Sequence, residues 1–313
     1  MLDPPLLFLA RHAALALAVS VFLGLALPPL ASLLRLLLLP VIVLLLALAL
    51  LRLDLGRFLG YARRPVLLVG FVVVKQLGTP LLTFALLKWL QAPDALILGL
   101  VLMAAAPTVT GAPAFAAIMG LDVAFATAGV LAVQIIVPFT LPFLALELLG
   151  LELKLGAVEL MLRLSLLVAA GFALSQALQR TVLNPVRVAQ LGRRLDGLMV
   201  LCLGTFAIGI MAGMQEVALR QPGFALLLTV GAYLGNLGLQ LLGVLLFANA
   251  GRGVALTAGH MLGNCNMGLV LAALGDDAPF AVSAFFAFAQ LPMYTLPVML
   301  LPLYRRLLGT TTA

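Results

Sequence analysis

Two carboxamides, Asn264 and Asn266, stand two positions apart in the run Gly259-His260-Met261-Leu262-Gly263-Asn264-Cys265-Asn266-Met267-Gly268, inside a segment that is otherwise apolar. In hydrocarbon an unsatisfied polar group costs several kcal/mol, so amides set among glycines mark a place where a helix breaks and its backbone lines a cavity. A second run, Ala106-Pro107-Thr108-Val109-Thr110-Gly111-Ala112-Pro113-Ala114, interrupts another apolar segment with two prolines, a glycine and two threonines. Proline removes a backbone donor and clashes with the preceding turn, so a helix cannot pass through intact. A broken helix exposes N–H groups from one half and carbonyls from the other, and such ends can hold an anion or a cation. Substrate or ion contact is therefore assigned to Asn264, Asn266, Thr108 and Thr110, with Pro107, Gly111, Pro113, Gly263 and Gly268 making the breaks. The same groups also suit a purely structural role, the amides by bonding between helices and the threonines by capping their own helix.

Lys75 is the other residue with chemical potential. It stands about ten residues from either end of an apolar run over 65–90, roughly 15 Å from each end at about 1.5 Å per residue, too deep to reach the headgroups, so it must face protein or water. An intramembrane cation is a functional-site hypothesis by default, and this one is expected beside the breaks, standing in for a bound cation or carrying a proton. Gln76, Gln290 and His260 join the candidates. His260 sits where a proton relay would use it, although a lone histidine is more often a packing residue. Asp122 and Asp277 fall at segment boundaries and are expected to cap helices.

The elements that must position these residues are membrane helices. The chain is 64% hydrophobic and 9% charged, against about 25% charged in soluble domains. Ten apolar spans are read at about 11–28, 30–51, 65–90, 94–119, 122–149, 155–179, 194–213, 223–249, 253–274 and 279–304. The first ends at Pro28-Pro29 without a cleavage-site pattern and is read as a retained helix. Basic residues gather in the connections of one side, at Arg11, Arg52, Arg57, Arg63, Arg64, Arg180, Arg187, Arg193, Arg194, Arg252, Arg305 and Arg306. The other side carries Lys88, Lys154 and Arg220, with Arg35 and Arg163 near helix ends, among Asp94, Glu147, Glu152, Glu216, Asp276 and Asp277. That asymmetry places both termini in the cytoplasm of a bacterial inner membrane and accounts for the +7 charge without nucleic acid. Cys202 and Cys265 lie in apolar segments with no metal-ligand spacing.

The two halves repeat. A shift of 155 residues lays Gly120 on Gly275, Asp122 on Asp277, Phe125 on Phe280 and Thr140-Leu141-Pro142 on Thr295-Leu296-Pro297, and superimposes the two breaks. Five spans per repeat, 1–154 and 155–313, is an odd number, so the second repeat runs through the membrane inverted, as in secondary transporters.

The run Gly263 to Leu269, with Ala284-Phe285-Phe286-Ala287-Phe288-Ala289-Gln290-Leu291-Pro292-Met293-Tyr294 and Tyr304-Arg305-Arg306, resembles the last two helices of the bile acid:sodium symporter family and its bacterial relatives. The resemblance implies ten helices, with a core domain from spans three to five and eight to ten and a panel domain from spans one, two, six and seven. It also implies carriage of an organic anion as core moves against panel. Where sodium-coupled members supply polar ligands, this chain has Met261, Cys265, Ala112 and Pro113. Sodium needs hard oxygen ligands, so the family's usual site is not expected here. Backbone carbonyls or a proton are left as routes to coupling, and no cofactor or resident metal is expected.

The expected function is thus a secondary transporter of a small organic anion. The alternatives are a non-transporting sensor or structural homologue, a facilitator, and an auxin-efflux-type or arsenite carrier. An enzyme is not expected, since the sequence has no Ser-His-Asp set, metal motif or phosphate loop.

Overall fold

The computed structural model describes residues 3–51, 65–151, 156–183 and 185–309. Arg52, Arg57, Arg63, Arg64, Glu152 and Lys154, which enter the charge asymmetry, lie outside the described residues. Among the described residues every regular element is helical apart from one isolated β-bridge. The helices in order are α1 (Asp3–Arg11), α2 (Ala13–Ala26), α3 (Pro28–Arg35), α4 (Leu38–Leu51), α5 (Pro65–Trp89), α6 (Asp94–Ala105), α7 (Ala112–Met119) and α8 (Val123–Leu148). There follow α9 (Ala157–Thr181), α10 (Pro185–Gln190), α11 (Gly192–Ile210), α12 (Met214–Arg220), α13 (Pro222–Leu246), α14 (Arg252–Gly263), α15 (Met267–Leu274) and α16 (Phe280–Leu308).

Five of these, α5, α8, α9, α13 and α16, are long and apolar enough to cross a membrane, or up to eight spans if the bent pairs α1/α2, α3/α4 and α11/α12 each count as one. The burial pattern agrees. Large apolar side chains such as Leu82, Leu86, Trp89, Phe139 and Phe143 face outward, while Lys75, Gln134, Asn236, Gln240, His260 and Gln290 are buried. A soluble protein does the reverse, whereas a protein solvated by lipid keeps polar groups inside. The stretches 94–119 and 253–274, each read as one span, are two helices apiece, interrupted at the proline and glycine runs.

The chain forms two compact units. The first comprises residues 1–53 and 165–227. Its spine is α11, which packs on α1 to α4 and buries Leu195, Met199 and Cys202 against Leu45, Leu48 and Leu51. Cys202 is thus a core side chain. No candidate site residue falls in this unit.

The second unit, residues 54–164 and 228–313, holds them all. In it α5 packs on α6 and α8, α8 on α7 and α14, and α16 on α6, α7, α14 and α15. Asp122 starts α8 by accepting the Phe125 N–H at 2.9 Å, and its own N–H donates to Thr257 Oγ1 of α14 at 2.9 Å. Asp122→Ala is expected to cost about 1 kcal/mol, read as a lower unfolding midpoint of the detergent-solubilised protein. The cap expected at Asp277 is not formed. Pro279 holds that position, and Asp277 lies 3.8 Å from Arg163 Nη1, whose Nη2 bonds Glu159 at 2.9 Å. The short 3₁₀ turn Gly275–Asp277 carries Asp277 away from the first free N–H groups of α16.

Candidate functional site

α6 stops because Pro107 follows. The residue before a proline is driven out of the helical region, and Ala106 is extended at φ −61°, ψ 149°. α14 stops at Gly263, after which Asn264 is extended at φ −98°, ψ 100°. Two lengths of buried, non-helical backbone must satisfy their own peptide groups, and they do so on each other. Thr108 and Cys265 form an antiparallel bridge, with Val109 N–H donating to Asn264 O at 2.9 Å and Asn266 N–H to Pro107 O at 2.7 Å. Beyond it α7 restarts after Gly111 with Pro113 in its first turn. α15 restarts after Asn266, with Gly268 buried in its first turn.

The carbonyl ends of α6 and α14 are met by side chains from two long helices. Lys75 sits in a π-helical turn of α5, Val74–Gly78, where an extra residue re-aims the side chains. Fully buried, it donates to Ala104 O at 2.8 Å and to Cys265 Sγ at 3.2 Å, so one amine ties the end of α6 to the opposite break. Thr79 Oγ1 donates to Lys75 O at 2.9 Å and lies 3.4 Å from Ala104 O, and Cys265 Sγ lies 3.3 Å from Leu262 O. Among the described residues no carboxylate pairs with Lys75. On the other arm Asn236 of α13 donates to Gly263 O at 2.9 Å. Asn236 Oδ1 accepts from Gln240, whose Oε1 accepts from Tyr304 at 2.6 Å. Each helix end carries about half a negative charge, and the two meet different partners, an amine at α6 and a neutral amide at α14.

The remaining candidates divide. Thr108 does not cap its own helix. Its hydroxyl crosses to Met261 O at 3.2 Å, because the extended backbone carries it away from α6. Asn266 is occupied as the cap of α15, accepting the Leu269 N–H at 3.2 Å. Thr110 is half-buried in the turn before α7. Gln76 accepts from Thr140 at 2.7 Å, with its Nε2 left without a partner among the described residues. Gln290 donates to Phe286 O at 2.9 Å within α16, with its Oε1 left over. Asn264 bonds His260 through both the backbone carbonyl, at 2.9 Å, and the ring, at 3.1 Å. The structure therefore gathers Lys75, Thr108, His260, Asn264 and Asn266 around the bridge, and sets Gln76 with Thr140 on the α5–α8 contact.

Sequence reasoning passed over Thr79, Asn236, Gln240, Tyr304 and Gln134. Asn236 and Gln240 stand four apart in an apolar helix, a signal as plain as the one that singled out Lys75. Gln134 is buried in the middle of α8 with neither end of its amide partnered.

Taken together, the fold and the crossing of two broken helices describe an all-helical chain compatible with a polytopic membrane protein. Comparison with protein-family models and with curated protein sequences finds no match.

Proposed function

We propose that this protein is a secondary transporter of a small organic anion, working by alternating access in a bacterial inner membrane with both termini cytoplasmic. In this reading it has ten spans in two inverted repeats, resembles bile acid:sodium symporters, and uses the Lys75 ammonium where such carriers bind sodium. The observation that carries it is the pairing of two broken helices at Thr108 and Cys265, with Lys75 bonded to both arms. Interrupted helices meeting in this way build substrate sites in carriers made of repeats.

Three further features support the repeat. Gly120 and Gly275, which coincide under the 155-residue shift, both end a second half-helix at positive φ, +73° and +58°. Thr140 and Thr295, also coincident, each bond a polar side chain of a long helix, Gln76 and Tyr233, both at 2.7 Å. The carbonyl end of each first half-helix is met from the long helix before it, by Lys75 and Asn236. The division of the chain into 1–53 with 165–227 and 54–164 with 228–313 supports a panel from spans one, two, six and seven and a core from spans three to five and eight to ten, although its boundaries fall inside spans six and eight.

A non-transporting homologue of the same fold is the second reading, favoured by how many groups at the breaks are already satisfied within the protein. Purified protein in liposomes separates them. Accumulation of a labelled organic anion, unchanged when sodium is replaced by choline, is the expected result. Absence of flux for every anion in a broad carboxylate panel overturns transport, and a strict sodium requirement overturns the role given to Lys75.

A further inference from the structure

His260 and Asn264 lie one helical turn apart at the end of α14, with 1% and 2% of their surfaces exposed. Asn264 Nδ2 is 2.9 Å from His260 O and 3.1 Å from His260 Nδ1. A carbonyl oxygen only accepts, so Asn264 must turn its NH₂ toward it, and that orients the whole amide. The second amide hydrogen then points at Nδ1, which must accept. A neutral imidazole whose Nδ1 accepts carries its proton on Nε2. Two groups follow from this bonding, a donor at His260 Nε2–H and an acceptor at Asn264 Oδ1, and neither has a partner among the described residues. The Phe115 ring of α7, centroid 5.7 Å from the imidazole, supplies an apolar neighbour from the opposite arm.

A buried donor or acceptor left unpaired costs about 1–3 kcal/mol, and two on neighbouring side chains at the centre of the crossing mark a place kept for a ligand. We infer that His260 and Asn264 read the carried anion. His260 Nε2–H donates to one of its oxygens, and Asn264 Oδ1 accepts from a hydroxyl beside that oxygen. The inference rests on the transport reading and narrows its substrate class to hydroxycarboxylates. A simple carboxylate can satisfy only the histidine, and its charge is repelled by the amide oxygen. Sites built to pair a substrate hydroxyl reject the analogue lacking it, because the protein group is then stranded.

The test measures binding of matched acids to purified protein: lactate against propionate, malate against succinate, and 2-hydroxyhexanoate against hexanoate. At least one hydroxy acid is expected to bind about tenfold or more tightly than its partner. Asn264→Leu should abolish that preference, and His260→Phe should abolish binding of both members, while His260→Gln, which keeps an N–H donor, should retain it. Equal affinity within every pair overturns the inference and leaves transport standing. Binding unchanged in a folded His260→Phe protein shows that water alone meets Nε2–H, and also overturns it. Should His260→Phe not fold, the pairwise preference of the wild type decides by itself. A wild type that binds no member of the panel overturns this inference, and flux of any other organic anion in liposomes then leaves transport standing.

Discussion

Lys75→Met is expected to reduce anion uptake in liposomes by more than about tenfold while leaving the protein folded. Methionine fills nearly the same volume but donates nothing, so Ala104 O keeps only the longer contact from Thr79 at 3.4 Å and the tie to Cys265 is lost. A hydrogen bond from a charged donor contributes about 1.5–3 kcal/mol, a factor of about ten to a hundred or more in any equilibrium that depends on it. Folding loses less than function, because an apolar side chain of equal size also removes the desolvation cost of a buried amine. The two effects are separated by measuring the unfolding midpoint and the uptake of the same sample. Lys75→Gly adds a sharper test. It opens a space edged by Ala104 O, Thr79 Oγ1 and Cys265 Sγ, where ammonium or methylammonium ions should restore uptake and choline should not. Uptake equal to wild type in Lys75→Met would reduce this lysine to a packing residue.

Gly259→Val should have the largest effect on stability of any single change at the site. A Cβ at Gly259 would stand 2.6 Å from Gln240 O and 2.7 Å from Val244 Cγ2, and one at Gly263 would stand 2.5 Å from Gln240 Cγ and 2.7 Å from Asn236 O. The two glycines, four residues apart, let α14 lie backbone to backbone on α13, where Gly243 faces Gly259 with equally little room. Overpacking typically costs 1–3 kcal/mol, and here relief is blocked because Asn236 holds Gly263 O while Gln240 holds Asn236 and Tyr304 holds Gln240. A fall of about 5 °C in the unfolding midpoint, or loss of the monodisperse peak in size exclusion, is expected. Gly259→Ala should fall between this variant and wild type. A midpoint for Gly259→Val within about 2 °C of wild type would show that the helices can part freely.

This close packing alters how Gly263 and its neighbours are understood. Read along the chain, Gly263 is a helix breaker. In the fold it is also half of a contact surface, and its carbonyl is the group Asn236 was placed to meet. The same shift applies to the two carboxamides. The side-chain oxygen of Asn266 is occupied in capping α15, whereas among the described residues Asn264 keeps an oxygen free.

By itself the sequence determined that the chain is a set of apolar helices and where two of them fail. Those features are local, since a proline lacks its N–H and displaces the residue before it wherever it stands, and twenty apolar residues need lipid whatever they pack against. The depth of Lys75 was equally legible, being a matter of counting residues from either end of its span. What the tertiary structure decided is which groups meet. Lys75 finds a carbonyl 29 positions away and a thiol 190 away, and Thr108 finds Met261 across 153 residues. Only packing brings such groups within 3.5 Å, so spacing along the chain could name the polar residues but not pair them. Among the described residues the pairing left an N–H of His260 and an oxygen of Asn264 unspent on neighbouring side chains beside the bridge.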